Sequence, residues 1–143
     1  MDPQALWDKL EIHELLARYG RALDDRDWDL YRSLFTPDAH IDYTSAGAIA
    51  GPLDVVVEYL RAALGAMPWT QHYLTNVEVD LDGDEATARA MFFNPLQIPG
   101  LDEPSSCGGW YRHRLVRTPD GWRSRELVED VRWFVNSPFP RDP

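Results

Sequence analysis

The chain has 143 residues, a common size for one domain. A globular chain of this length buries roughly 70% of the surface its unfolded form exposes, enough for a core with an internal pocket. Its composition, 44% hydrophobic, 12% aromatic and 27% charged, excludes a disordered chain. With 14 Lys and Arg against 24 Asp and Glu the formal charge is −10, which repels phosphate backbones and argues against nucleic acid as a partner.

The elements divide into a helical first half and a strand-rich second half. Leu6, Leu10, Leu16, Tyr19 and Leu23 recur at helical spacing, with Asp2 and Pro3 suited to the first turn of a helix from Asp2 to Leu23. Asp27 reads as the N-cap of a short second helix carrying Trp28, Tyr31, Leu34 and Phe35, closed by Pro37. Ala39, Ile41 and Tyr43 then alternate as a strand. Gly51-Pro52 opens a third helix with Leu53, Val56, Val57, Leu60 and Leu64 on one stripe, ending near Gly65 to Pro68.

After Trp69 the period falls to two. Strands are predicted over Gln71 to Leu81, Glu85 to Ile98, Gly109 to Thr118 and Trp122 to Phe134. Asp82-Gly83 and Asp120-Gly121 are turn signals, and Pro99 to Gly108 reads as a longer loop. Three helices followed by long strands joined by short turns describe an α+β fold, a cone-shaped, curved antiparallel or mixed sheet packed on the three N-terminal helices. Residues 1–143 read as one domain, with a cavity between helices and sheet.

Met1 to Gln4 has no basic stretch leading into an apolar run, and Leu53 to Met67 is too short and too charged to cross a bilayer. The expectation is a cytoplasmic chain without membrane partners. Cys107, the one cysteine, cannot form an internal disulfide. Neither a dinucleotide-binding glycine pattern nor a P-loop occurs, and Ser105-Ser106-Cys107 has no neighbouring histidine motif. His72 and Asp24 lack a further dependable ligand for a metal. No cofactor and no metal are expected.

Four polar features stand where packing would prefer carbon. Asp24 lies at the joint between the first two helices, where an exposed helix end would also account for it. His72 shares a face with Leu74 at the start of the first long strand, as a hydrogen-bonded core histidine would. His13, His40 and His113 sit among polar neighbours and read as surface groups. Tyr19 and Tyr43 form a pair of core tyrosines. Tyr19 and Asp24 are about 140° apart around an ideal helix, so they face one cavity only if the helix ends or bends near Leu23. Arg132 lies between Val131 and Trp133, where it could snorkel or pair with a carboxylate such as Glu126, Glu129 or Asp130.

The stretches Asp24-Asp25-Arg26-Asp27-Trp28-Asp29, Ile41-Asp42-Tyr43, Thr70-Gln71-His72 and Asp130-Val131-Arg132-Trp133 carry a resemblance to the nuclear-transport-factor-2-like (SnoaL-like) superfamily. The branch resembled includes scytalone dehydratase and the bile-acid 7α-dehydratases, and the likeness runs from about Leu6 to Phe134. It implies a cone-shaped α+β barrel, a catalytic pair at Asp24 and His72, active-site tyrosines at Tyr43 and Tyr19, and a pocket arginine at Arg132. Trp28 and Trp110 are expected to wall the substrate site. Leu23 stands where scytalone dehydratase has a tyrosine and Ala90 where it has a second histidine. Its polar Ser and Asn fall on Trp110 and Arg112, which puts scytalone itself in doubt as substrate.

The chemistry implied is cofactor-free. A neutral histidine can take a proton from carbon beside a carbonyl, an aspartate fixes its tautomer, and tyrosine hydroxyls donate to the developing enolate. Handing the proton to a departing hydroxyl makes the protein a dehydratase of a small hydrophobic hydroxylated carbonyl compound. Returning it to another carbon makes it an isomerase or cyclase acting on a steroid-like or polyketide substrate. A non-catalytic small-molecule-binding module is the third reading. A homo-oligomer is expected, a trimer ahead of a dimer, formed over an outer sheet face bearing Tyr111, Leu115 and Leu127 or their alternates.

Overall fold

The computed structural model describes residues 1–139, and the last four residues of the predicted 1–143 domain lie outside the described residues. Helix α1 spans Pro3–Asp24, with Asp2 Oδ1 accepting from Gln4 N–H at 3.1 Å as its cap. Its buried stripe is Asp8, Ile12, Leu15, Leu16, Tyr19, Ala22 and Leu23. The predicted stripe is therefore corrected in its first turns, because Leu6 and Leu10 are exposed. There the helix turns Asp8 toward the sheet instead. Asp8 accepts two hydrogen bonds from Arg117, at 2.8 and 2.9 Å, and one from Trp122 Nε1 at 3.0 Å. The Arg117 guanidinium outweighs burial and holds the Asp8 carboxyl well below the usual range.

Helix α2 is Trp28–Ser33, capped by the Asp27 carboxylate on Leu30 N–H. It stops before Leu34, two residues short of the prediction, because Phe35 already belongs to strand β1 (Phe35–Asp42). Pro37 lies within β1, and the ladder to the neighbouring strand is interrupted between Phe35 and His40, where the proline has no N–H to give. A short strand β2 (Ala50–Pro52), absent from the sequence reading, leads into helix α3 (Leu53–Gly65). Four long strands follow: β3 (Tyr73–Asp82), β4 (Glu85–Leu96), β5 (Ser105–Thr118) and β6 (Gly121–Val135). Strand β5 begins four residues earlier than predicted.

The sheet order is β2-β1-β6-β5-β4-β3. The β1–β6 pair is parallel and the rest are antiparallel, so the sheet is mixed, and it is not closed. Register shifts opposite Gly108-Gly109 and Arg114-Leu115 put an extra residue into β6 at Arg132 and Arg125, bulges of the kind that bend a strand. The helices pack on one face of this curved sheet, over a core that includes Tyr111, Leu115 and Leu127. Those three residues therefore face the helices, and of the two candidate outer faces it is the one bearing their alternates that lies outside. On the sheet, the large apolar side chains turned outward include Tyr73, Met91, Phe93 and Trp133, each 40–44% exposed. Among the described residues, no helix is long and apolar enough to cross a membrane.

Candidate active site

Asp24 reaches the interior because α1 stops there. Asp25 caps the helix, and Arg26 takes a left-handed backbone (φ 55°) that a non-glycine residue rarely adopts. Hydrogen bonds offset that cost. The Arg26 guanidinium donates to Leu23 O at 2.7 Å, Leu64 O at 3.0 Å and Thr70 Oγ1 at 2.8 Å, tying the ends of α1 and α3 to the segment before β3. Thr70 in turn donates to Asp24 Oδ1 at 3.0 Å. Gly20 permits the same segment to lie against α1, since a Cβ there would come within 3.2 Å of the His72 carbonyl oxygen.

Asp24 then holds His72 by ring and backbone, with Oδ1 2.7 Å from Nδ1 and Oδ2 2.8 Å from the backbone nitrogen. Burial raises the Asp24 pKa, but the His72 ring, the His72 backbone N–H and Thr70 together hold it below the usual carboxylate value. An ionised carboxylate only accepts, so Nδ1 carries the proton and Nε2 is the basic nitrogen. Asn94 satisfies its own amide donors at Gln71 O and Pro95 O, both 3.2 Å, when its oxygen faces Nε2, also at 3.2 Å. A doubly protonated ring would thus find an acceptor on each side.

His72 lines a cavity of about 210 Å³ between α1, α3 and the inner sheet face. Leu23, Leu60, Leu64, Leu96, Ile98 and Phe134 give it apolar walls. Tyr19 and Tyr43 line the same cavity, their hydroxyls 2.6 Å apart, and Tyr31 reaches Tyr43 from outside it at 2.8 Å. Burial pushes all three phenols well above their ordinary pKa, so each keeps its proton as a neutral donor. Tyr19 lines the cavity itself, whereas Asp24, the last residue of α1, is not in its lining and acts on it through His72.

Three expected substrate contacts lie elsewhere. Arg132 is the bulge residue of β6, paired outward with Asp130 at 3.1 Å, its guanidinium 4.5 Å from the centre of the Trp110 ring. The Trp110 ring also has the Arg89 guanidinium over it at 4.7 Å. Trp28 is buried in the core edge-on to Tyr31 and is not part of the cavity lining. Along β5 the inward positions are Gly109, Tyr111 and His113, so Trp110 and Arg112 do not stand where polar substrate contacts would be needed.

His113, read as a surface group, is buried, and burial lowers its pKa to about 3. Ser124 Oγ donates to Glu126 O at 3.2 Å and so accepts from His113 Nδ1 at 2.8 Å. Among the described residues, His113 Nε2 has no partner. Cys107 lines the cavity with its thiol pushed up to about 12 by burial, which removes thiolate chemistry near neutral pH. The sequence reading also missed Asn94, Tyr111 and Glu129 as cavity residues. Each occupies an inward position of an alternating strand, beside Phe92, His113 and Leu127, which was the available signal. Among the described residues, no three His, Cys, Asp or Glu side chains cluster to hold a metal ion.

Comparison with known proteins agrees with this architecture. An uncharacterized protein of Mycobacterium tuberculosis is 43% identical over 123 residues, covering 85% of this chain and 84% of the relative. The structure of the Kfla4162 protein of Kribbella flavida superposes with a TM-score of 0.85 at 31% identity, over 93% of this chain and 96% of that one. A scytalone dehydratase candidate from Novosphingobium aromaticivorans gives 0.86 at 18% identity, over 99% and 94%, a likeness of fold. The model of the SnoaL-like domain matches residues 4–128, and the chain belongs to that family.

Proposed function

We propose that this chain is a cofactor-independent lyase that removes water from a small hydrophobic compound carrying a hydroxyl β to a carbonyl. The observation that carries this reading is His72 on the wall of an apolar cavity, held from behind by Asp24, with Tyr19 and Tyr43 lining the same cavity and their hydroxyls 2.6 Å apart. His72 Nε2 takes the proton from the carbon beside the carbonyl, and the imidazolium formed is held between Asp24 and the Asn94 oxygen. A tyrosine hydroxyl donates to the carbonyl oxygen as negative charge collects there. The apolar walls favour a ring system over a charged chain. The fold shared with a scytalone dehydratase candidate is consistent with this chemistry.

A β-hydroxytetralone tests the proposal, because loss of water converts it to a strongly absorbing naphthol. The expected result is naphthol formation with loss of one water by mass, abolished in His72→Ala. A product of unchanged mass would replace the lyase with an isomerase or cyclase. Ring compounds that bind without any conversion would contradict catalysis altogether.

A further inference from the structure

Glu129 is, among the described residues, the one carboxylic acid in the cavity lining, and the chemistry above leaves it unused. It sits on the inner face of β6 between Leu127 and Val131, opposite Tyr111 of β5, and is 9% exposed. Ser45 fixes the backbone on both sides of it, donating to Glu129 O at 2.7 Å and accepting from Val131 N–H at 3.0 Å. The ionisable groups facing it are Tyr111 and Cys107 from β5, Tyr43 and Asp42 from the β1 region, Tyr19 from α1 and Tyr31 from α2. None is a cation, and among the described residues no lysine or arginine lines the cavity. A carboxylate buried without a cation is costly, and a carboxylic acid is the form such a site favours. Burial, partly offset by hydrogen bonding to Tyr111, raises Glu129 to about 7.

We propose that Glu129 is a second catalytic residue of this cavity, the acid that protonates the departing hydroxyl while His72 takes the proton from carbon. The inference rests on the lyase reading. Hydroxide is a poor leaving group, and one imidazole nitrogen cannot accept a proton and donate one in the same step. With two groups the step balances. Nε2 binds the α-proton, the C–H electron pair becomes the new C=C bond as C–O breaks, and the Glu129 proton leaves with the oxygen as water. The site is left as imidazolium and carboxylate, and transfer of one proton from His72 to Glu129, directly or through water, restores it.

The test compares two leaving groups on one ring, a β-hydroxytetralone and a β-chlorotetralone, since chloride departs without a proton. Wild type, Glu129→Gln and His72→Ala are assayed with both after their melting temperatures show that they fold. Glu129→Gln is expected to lose about 100-fold or more on the hydroxy compound and less than about threefold on the chloro compound, whereas His72→Ala loses both. The pH profile is a second readout, because wild-type turnover of the hydroxy compound should fall as pH rises past about 7 and that limb should vanish in Glu129→Gln. Equal losses on both compounds, or no loss on either, would overturn the acid role and leave the His72 chemistry standing. Wild-type turnover of the chloro compound alone would also overturn it. Turnover of neither by the wild type would overturn the lyase reading itself, and this role with it.

Discussion

One carboxylate fixes His72 twice: Asp24 Oδ1 meets the ring at 2.7 Å and Oδ2 meets the backbone N–H at 2.8 Å. The same group therefore sets where the histidine starts and which tautomer it adopts. Asp24→Asn keeps the shape but places an amide where two acceptors are needed, and removes the charge that stabilises an imidazolium. Turnover of the hydroxytetralone should fall on the order of 1000-fold or more, comparable to His72→Ala, with the double variant scarcely worse than the worse single. Additive losses would show that the two residues do not act as a unit.

Tyr43 sits between the Tyr19 and Tyr31 hydroxyls, so Tyr43→Phe breaks two buried hydrogen bonds at once. Turnover should drop about 10- to 1000-fold, the range for losing a donor to a developing oxyanion. Stability should drop by about 1–3 kcal/mol, because the remaining phenols lose a partner in the interior. Chemical denaturation and turnover measured on one preparation check both. Tyr31→Phe, outside the cavity lining, should cost stability with a smaller effect on rate.

Glu129 should destabilise the native fold at neutral and higher pH. Its folded value of about 7 lies above the ordinary 4.5, so between these values the native state holds a proton that the unfolded chain has released. The stabilisation this brings is complete below about 4.5 and lost as pH rises through 7. Glu129→Gln removes the titration, so its advantage in melting temperature over wild type should be greater at about pH 8 than at about pH 5. A constant difference would mean that Glu129 ionises normally in the fold.

His113 has the opposite sign. Its folded value of about 3 lies below the ordinary 6.5, so the unfolded chain gains a proton first as the solution is acidified. Stability should be lost as pH falls from about 6.5 toward 3, by a few kcal/mol in all for a shift of this size. Melting temperature against pH should be flatter for His113→Leu than for wild type over that range. Parallel curves would contradict a buried neutral imidazole.

Much of this was legible in the sequence because period and punctuation agree with the packing. The change from helical to two-residue alternation after Trp69, the Asp2 and Asp27 caps and the two Asp-Gly turns place eight of the elements within a few residues. The joint between the first two helices and the Thr70-Gln71-His72 segment singled out the pair that the structure brings to 2.7 Å. Strand β2 is three residues long and has no period to detect. Arg132 escaped because a bulge is invisible to alternation, and Trp28 and Trp110 because an aromatic ring suits a core or an outer face as well as a pocket. Glu129, Asn94 and His113 were missed for a different reason. His113 was read by its polar neighbours, Glu129 as a partner for Arg132, and Asn94 was not singled out, whereas alternation makes the packing partners of each the residues two positions away. Arg26, whose guanidinium ties two helix ends to Thr70, had no sequence signal beyond its place in the acidic joint.

The central claim is that His72 is the base of a water-eliminating site. The most direct measurement is naphthol formation from a β-hydroxytetralone by wild type and by His72→Ala, with melting temperatures recorded for both. The account predicts that wild type forms naphthol, and that His72→Ala melts within a few degrees of it while losing at least about 100-fold in turnover. Full turnover by a folded His72→Ala protein would contradict it.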